Sequence, residues 1–418
     1  MKNDFLEVFK ENFTIKILII FILIFPIVLL IGSAVINTCI VLMNIFFLIH
    51  IIIKKKYEIF KNDVFYSLIA LWVFLILNTL MNSNFSENYS RSFGFIRFIL
   101  LVFMFAYIFT FKNHKYKKLI FKFWSIIFAV ISLDLIFEYI FTFNSLGFKT
   151  PYDGRLVGFM GDQLKIGHWY ACFSLIVIAK YFDQKKMFYF LLLLSIFVSF
   201  IIGERANFIR LFLALSFLLI IARLLNFKKI ILLAFSIVML FYLAVITEKS
   251  ERNYLKNRYF DQINQVLKAT SIKEINDKNT YTPMYFNAYD LFEKNKILGV
   301  GPGFYLEKSH ENFRLNKKIN GYSILPNTHP HQFHFEILAT LGLPGYLFII
   351  TFLLYFLIKS FRFYKNKKNP INLTSLLFIF VFLIPLLPTG SFYTTYGASI
   401  FWLNFSLMNL GNFKNLDH

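Results

Sequence analysis

The stretch Asn327-Thr-His-Pro-His-Gln-Phe-His-Phe-Glu336 gathers three histidines and a glutamate into ten residues. The whole chain of 418 residues is 57% hydrophobic and 16% charged and holds only 8 histidines, so this is where acid–base chemistry concentrates. Imidazole exchanges protons near neutral pH, and a general base of this kind makes a hydroxyl group nucleophilic. His331 is the first candidate for that base, because Pro330 restricts the backbone just before it. His329 and Glu336 are candidates for binding or for orienting a neighbour, and His334 is a weaker choice. A metal reading pairs His331 with His334, three apart on one helix face, and adds His329 or Glu336. The zincin pattern His-Glu-x-x-His is absent, and no metal is expected.

Arginines form the second group. Arg205 and Arg210 lie in Gly203-Glu-Arg-Ala-Asn-Phe-Ile-Arg210, and Arg155 lies in Asp153-Gly-Arg-Leu-Val-Gly158. Arg91 and Arg97 flank the start of a hydrophobic run. A guanidinium is a rigid fork that matches phosphate oxygens and keeps its charge when partly desolvated. Arg205 interrupts two apolar runs, an expensive place for a cation without a partner, and is the first choice for an anionic substrate group. Arg155 and Arg97 are second choices. Arg258, in the long polar segment, is a further candidate. The alternative for Arg205 and Arg210 is that they snorkel to the membrane surface. Asp134 and Glu138, one helical turn apart, are expected to pair with Arg97 as a structural group. Gly299-Val-Gly-Pro-Gly303 is not a nucleotide loop: its sixth position is Phe304, and no βαβ unit surrounds it. Turn geometry is its expected role, with Gly301 placed against the substrate.

These residues must be positioned by membrane helices. A bilayer span needs roughly 20 apolar residues, and such runs recur at 17–31, 35–53, 64–81, 93–111, 119–143, 166–182, 187–202, 207–225, 230–246, 343–358, 371–388 and 398–410. The expected fold is all-α and polytopic, with about twelve transmembrane helices and one long, partly helical loop. The organisation reads as residues 1–246 with helices one to nine, 247–332 as the loop with the histidine motif, and 333–418 with helices ten to twelve. The net charge of +21 does not point to nucleic acid, because the lysines cluster in short loops between hydrophobic runs, the positive-inside pattern. That pattern puts both termini in the cytoplasm and the long loop on the opposite side. The first run follows Lys2, Lys10 and Lys16 but has no small-residue cleavage site, so an uncleaved helix is expected. Cys39 and Cys172 lie in apolar runs and give no disulfide or metal spacing. The 20% aromatic content is read as lipid-facing bulk.

The motifs together resemble the O-antigen ligase/polymerase superfamily of bacterial envelope enzymes. His329-Pro-His331 followed by Ile337-Leu-Ala-Thr-Leu-Gly-Leu-Pro-Gly345 is similar to the family's His-Pro-His-Asn…Leu…Gly-x-x-Gly segment. Asn295-Lys-Ile-Leu-Gly-Val-Gly-Pro-Gly-Phe304 is similar to its Asn-Pro-x-x-Gly-x-Gly-Pro-Gly-x-Phe. Gly203-Glu-Arg-Ala206 resembles its Gly-x-Arg-x turn, and the segment from Arg155 to Gly167 resembles the one before its sixth span. Two departures stand out: Gln332 replaces the usual Asn, and the Arg and Trp of many members are absent around Tyr281 and Asn287. The resemblance implies metal-independent and cofactor-independent saccharide transfer at the periplasmic face of the inner membrane. The donor is an undecaprenyl-diphosphate-linked polysaccharide. The acceptor is lipid A–core for a ligase, or another lipid-linked repeat unit for a polymerase. Ligase is the expected activity, with His331 as base and Arg205 on the diphosphate. Arg155, Arg97, Arg258, Arg210, His329, Glu336 and Gly301 are expected at the substrate.

A rival of another class is a lipid-linked oligosaccharide transporter. Many secondary transporters carry internal repeats. This chain shows none, and its arginine and histidine motifs fall on one side only.

Overall fold

The computed structural model describes residues 12–82, 89–110, 114–149, 154–161, 163–224, 231, 234–239, 242, 255, 259 and 262–416. The chain folds into helices α1 (Phe13–Ile31), α2 (Ser33–Lys54), α3 (Asp63–Asn82), α4 (Ile96–Thr110), α5 (His114–Phe141), α6 (Ile166–Lys180), α7 (Lys185–Ile201) and α8 (Arg205–Ile221). A short turn of helix, Ser90–Phe93, leads into α4. A smaller group follows: α9 (Ile272–Lys278), α10 (Thr282–Lys294) and α11 (Tyr305–Leu315). The chain then returns to long apolar helices in α12 (Phe333–Lys367), α13 (Pro370–Phe382) and α14 (Thr395–Met408). The two-residue strands Lys318–Ile319 and Tyr322–Ser323 pair antiparallel, a minimal hairpin within an otherwise helical fold, as expected from the sequence.

Among the described residues, six segments are long and apolar enough to cross a membrane: α1, α2, α3, α4 with its leading turn, α5 from Tyr116, and α12. The expected count of about twelve is not confirmed by these segments. Helices α6, α7, α8, α13 and α14 run only 13 to 17 residues, and most of the expected ninth span, 230–246, lies outside the described residues.

Side chains from neighbouring helices close the backbone of α1 where a proline opens it. Pro26 lies inside α1 and has no N–H for the Ile22 carbonyl one turn back. The indole of Trp124 on α5 donates to that carbonyl at 2.8 Å, and Trp169 on α6 donates to the carbonyl of Pro26 itself at 2.8 Å. Hydrocarbon offers no other donor, so these two indoles make a proline in α1 tolerable. His50 on α2 follows the same logic. It is buried between Thr14 of α1 at 3.0 Å and Tyr107 of α4 at 2.9 Å, a satisfied polar group rather than a reactive one.

Candidate active site

Two glycine motifs that are distant in sequence form one backbone interlock. Helix α12 breaks at Gly342, which is left-handed at φ 67°. Past the break, Pro344 has no N–H to return to Thr340, and Leu343 gives its N–H to the carbonyl of Lys296 at 2.7 Å. The carbonyls of Ala339 and Thr340 would be orphaned, as at any helix end. They accept instead from Val300 at 2.8 Å and Gly301 at 2.9 Å. A Cβ at Gly299 would collide with the backbone of Thr340 and Leu341, and one at Gly342 with the carbonyl of Ile297. Gly301 therefore spends its N–H on the scaffold. The interlock fixes the first two turns of α12, and with them the motif that precedes it.

At the head of α12, Gln332 is the N-cap. Its side-chain oxygen accepts from the Phe335 N–H at 3.0 Å, so the glutamine does the N-terminal capping work. His331 precedes the helix with φ 54°, an uncommon region for a side chain that costs about 1–3 kcal/mol and needs surroundings that enforce it. His331 thus does not share a helix face with His334, contrary to the expectation behind the metal reading. His334 is engaged on both ring nitrogens, by Tyr346 at 3.1 Å and the Leu383 carbonyl at 2.8 Å. Among the described residues, no cluster of three or more His, Cys, Asp or Glu could hold a metal ion.

His329 and His331 face each other with ring centroids 4.1 Å apart. Tyr281, just before α10, meets His331 edge-on at 5.8 Å and stacks on Tyr285, which in turn stacks on Phe335 of α12 at 5.0 Å. This aromatic column docks the small helical group onto the histidine motif. Burial pushes the His331 imidazole down to about 4, helped by the positive charges of Arg155 and Lys165. Burial pushes His329 down to about 3, with His331, Arg91 and Lys165 adding to it. Both rings are neutral at pH 7, the form a general base requires. Lys165 lies in the Arg155–Gly167 segment, Arg91 flanks a hydrophobic run and Tyr281 marks a departure from the family pattern, but nothing in the sequence ties any of the three to the histidines. They reach the site from separate elements, and only the fold brings them there.

The arginine turn is locked to the segment that carries Arg155. A Cβ at Gly203, left-handed at φ 76°, would collide with the carbonyl of Gly154, so a glycine at 203 permits the close approach. Leu156 donates to the Ile202 carbonyl at 3.0 Å. The Glu204 carboxylate accepts from the Gly167 N–H near the start of α6 at 3.1 Å and from the Asn207 amide. Arg205 opens α8 from this turn, half-buried and within electrostatic reach of Arg155 and Tyr281.

The remaining arginines differ. Arg210 does not snorkel: it is 5% exposed, donates to Asn207 at 3.0 Å and to the Leu387 carbonyl at 3.3 Å, and shares a small internal cavity with His168. Arg97 lies over the Phe98 ring and donates to the Gly94 carbonyl. Its expected pairing with Asp134 and Glu138 is not what the structure has. Glu138 accepts from the N–H groups of Val157 and Gly158 at 3.0 and 2.7 Å, and Asp134 accepts from Ser145. The two acids instead pin the loop that carries Arg155. Arg258 lies outside the described residues. Glu336 is buried, with both carboxylate oxygens engaged by Ser391 and Phe392.

The fold and site define a helical, multi-pass membrane protein in which a histidine pair lies beside a set of cations. Residues 190–350 match the family model for O-antigen ligase, and over this span the chain is similar to the O-antigen ligase superfamily. The matched span includes the arginine turn, the glycine interlock, both histidines and Glu336, while Arg155 and Arg97 precede it. Members of the family are glycosyltransferase-like enzymes, ligases and polymerases. Comparison with curated proteins gives no match.

Proposed function

We propose that the chain is an O-antigen ligase. It transfers a polysaccharide from undecaprenyl diphosphate to a sugar hydroxyl of lipid A–core, at the periplasmic face of the bacterial inner membrane. The observation that carries the reading is the pair of neutral histidines set against Arg155, Lys165 and Arg91, with Arg205 alongside. Glycosyl transfer from a lipid diphosphate needs those two things. The leaving group is already stable and needs cations at its oxygens as charge develops. The acceptor hydroxyl is a poor nucleophile and needs a base.

In this scheme the acceptor oxygen attacks the anomeric carbon while His331 takes its proton. The bond between that carbon and the diphosphate oxygen breaks, and the lipid diphosphate leaves as an anion held by Arg205 and Arg155. The scheme requires neither metal nor cofactor. Among the described residues no side chain hydrogen-bonds the His331 ring, which leaves it free to meet a hydroxyl group. The lysine-rich short loops support the cytoplasmic placement of both termini.

The test is the lipopolysaccharide profile of a host strain lacking the gene, run beside its carrier-linked polymer. The ligase reading predicts bare lipid A–core with polymer accumulating on the carrier. Core capped with a single repeat, and no long polymer, would replace it with a polymerase. An unchanged profile would overturn it.

A further inference from the structure

The loop between α13 and α14 ties together Arg210, His331 and Glu336. Its Leu387 carbonyl accepts from Arg210 of α8 at 3.3 Å. The N–H of Thr389 donates to the carbonyl of His331 at 2.6 Å. Two residues on, the Ser391 hydroxyl and the Phe392 N–H donate to the two carboxylate oxygens of Glu336, the latter at 2.8 Å. Glu336, Ser391, Thr389 and Phe392 are each no more than 3% exposed. A carboxylate enclosed in this way does not meet a saccharide.

The loop is bent as well as tied. Leu386 and His331 are both left-handed, at φ 66° and 54°, so the hydrogen bond between loop and histidine joins two backbones that neighbours must hold in place. Glu336 lies in the first turn of the helix that His331 precedes. Its carboxylate reaches across to α14's entry and anchors the loop from below, while Thr389 holds the histidine from the side.

We propose that Glu336 is a positioning residue for His331, acting through residues 387–392 and not on the saccharide. The inference rests on the reading of His331 as the base. A carboxylate is suited to the task because it accepts two donors at once from successive parts of one loop. Loss of that anchor frees Thr389, and His331 loses the contact that holds its main chain. The ring then drifts from the acceptor and becomes more hydrated.

The experiment is saccharide transfer by the purified full chain in detergent, using a lipid-diphosphate-linked oligosaccharide and lipid A–core. Glu336→Ala, Glu336→Gln, Ser391→Ala and His331→Ala are compared with the wild type. Glu336→Ala is expected to lower kcat on the order of 10²-fold, the scale of a misplaced reacting group, with acceptor KM unchanged. Glu336→Gln keeps an acceptor for Phe392 and a partner for Ser391, and is expected to recover most of the rate. Ser391→Ala removes one anchor and is expected to fall between them. The acidic limb of the kcat/KM profile should also move to higher pH in Glu336→Ala. His331 is held low by burial and by the charges of Arg155 and Lys165, among His329 and Tyr281, and hydration raises it. Glu336→Gln as inactive as Glu336→Ala, with a raised acceptor KM, would overturn the proposal in favour of direct sugar contact. Wild-type kcat in Glu336→Ala, with His331→Ala inactive, would overturn it while leaving the base in place. Activity in His331→Ala would remove the base reading itself. If Glu336→Ala fails to melt cooperatively, the comparison of Glu336→Gln with Ser391→Ala decides: unaffected Ser391→Ala and inactive Glu336→Gln contradict the anchor.

Discussion

The imidazoles of His329 and His331 lie 4.1 Å apart, ring against ring. Two cationic imidazoles cannot share that separation cheaply in a partly buried site, so the pair carries at most one proton. Burial and the surrounding cations ensure that it carries none at neutral pH. A proton taken from an acceptor hydroxyl would enter this pair, and His331, with no side chain bonded to its ring among the described residues, is the member placed to take it.

His331→Ala is predicted to lower the transfer rate by on the order of 10²–10⁴-fold, the range of a lost general base. His329→Ala should cost less, because the Nδ1 of His329 is already engaged by Thr328 at 3.1 Å. Rates of the purified variants with saturating donor would check the order. A larger loss in His329→Ala would exchange the two roles.

The pH dependence has a definite sign. His331 is neutral above about 4, so activity of the free enzyme should fall as pH drops through that region. A bound diphosphate brings negative charge next to Arg155 and Lys165 and offsets the charges that depress the histidine. The acidic limb of kcat, which reports the complex, is therefore predicted at higher pH than that of kcat/KM, which reports the free enzyme. Coincident limbs would separate the histidine from the diphosphate site. Lys165→Met should raise both limbs' pH in the same direction, because it removes one of the depressing charges.

Arg205→Lys is predicted to lose activity on the order of 10²-fold, the scale of one lost transition-state donor, although the charge remains. The planar fork is what meets two phosphate oxygens together. A transfer assay with purified variant measures this. Full activity in Arg205→Lys would take Arg205 out of the site.

Gly203→Ala should destabilise the fold by about 1–3 kcal/mol, the cost of a side chain in a left-handed position, with a further cost from collision with the Gly154 carbonyl. The change would show as a lower thermal midpoint in detergent and a matching loss of activity, since the same turn presents Arg205. An unchanged midpoint would mean that the close approach of the two glycines is not required.

Much of this site was legible in the sequence, for reasons that can be named. His331, Arg205 and the two glycine motifs sit in short local patterns, and a local pattern survives reading in one dimension. Lys165, Arg91 and Tyr281 lie in or beside segments the sequence marks, but no local pattern ties them to the histidines. They meet the histidines through packing between elements far apart in the chain. Asp134 and Glu138 were legible as a pair but not as to partner: helical spacing shows that two acids share a face, not what crosses that face. For Arg210, hydropathy shows only that it interrupts an apolar run, which leaves a place at the substrate and snorkelling to the surface both open. Whether such a residue turns outward or inward depends on partners such as Asn207 and the Leu387 carbonyl. The expected span count rests on hydropathy, which marks apolar runs, while the described helices in residues 166–221 and 370–408 are 13 to 17 residues long.

The most direct test of the central claim is complementation of a strain lacking the gene with either the wild-type chain or His331→Ala, with both expressed at equal level in the membrane. The account predicts that the wild type restores long polysaccharide on lipid A–core. His331→Ala is predicted to leave bare core, with the polymer still on its lipid carrier. Restoration of long polysaccharide by His331→Ala would contradict it.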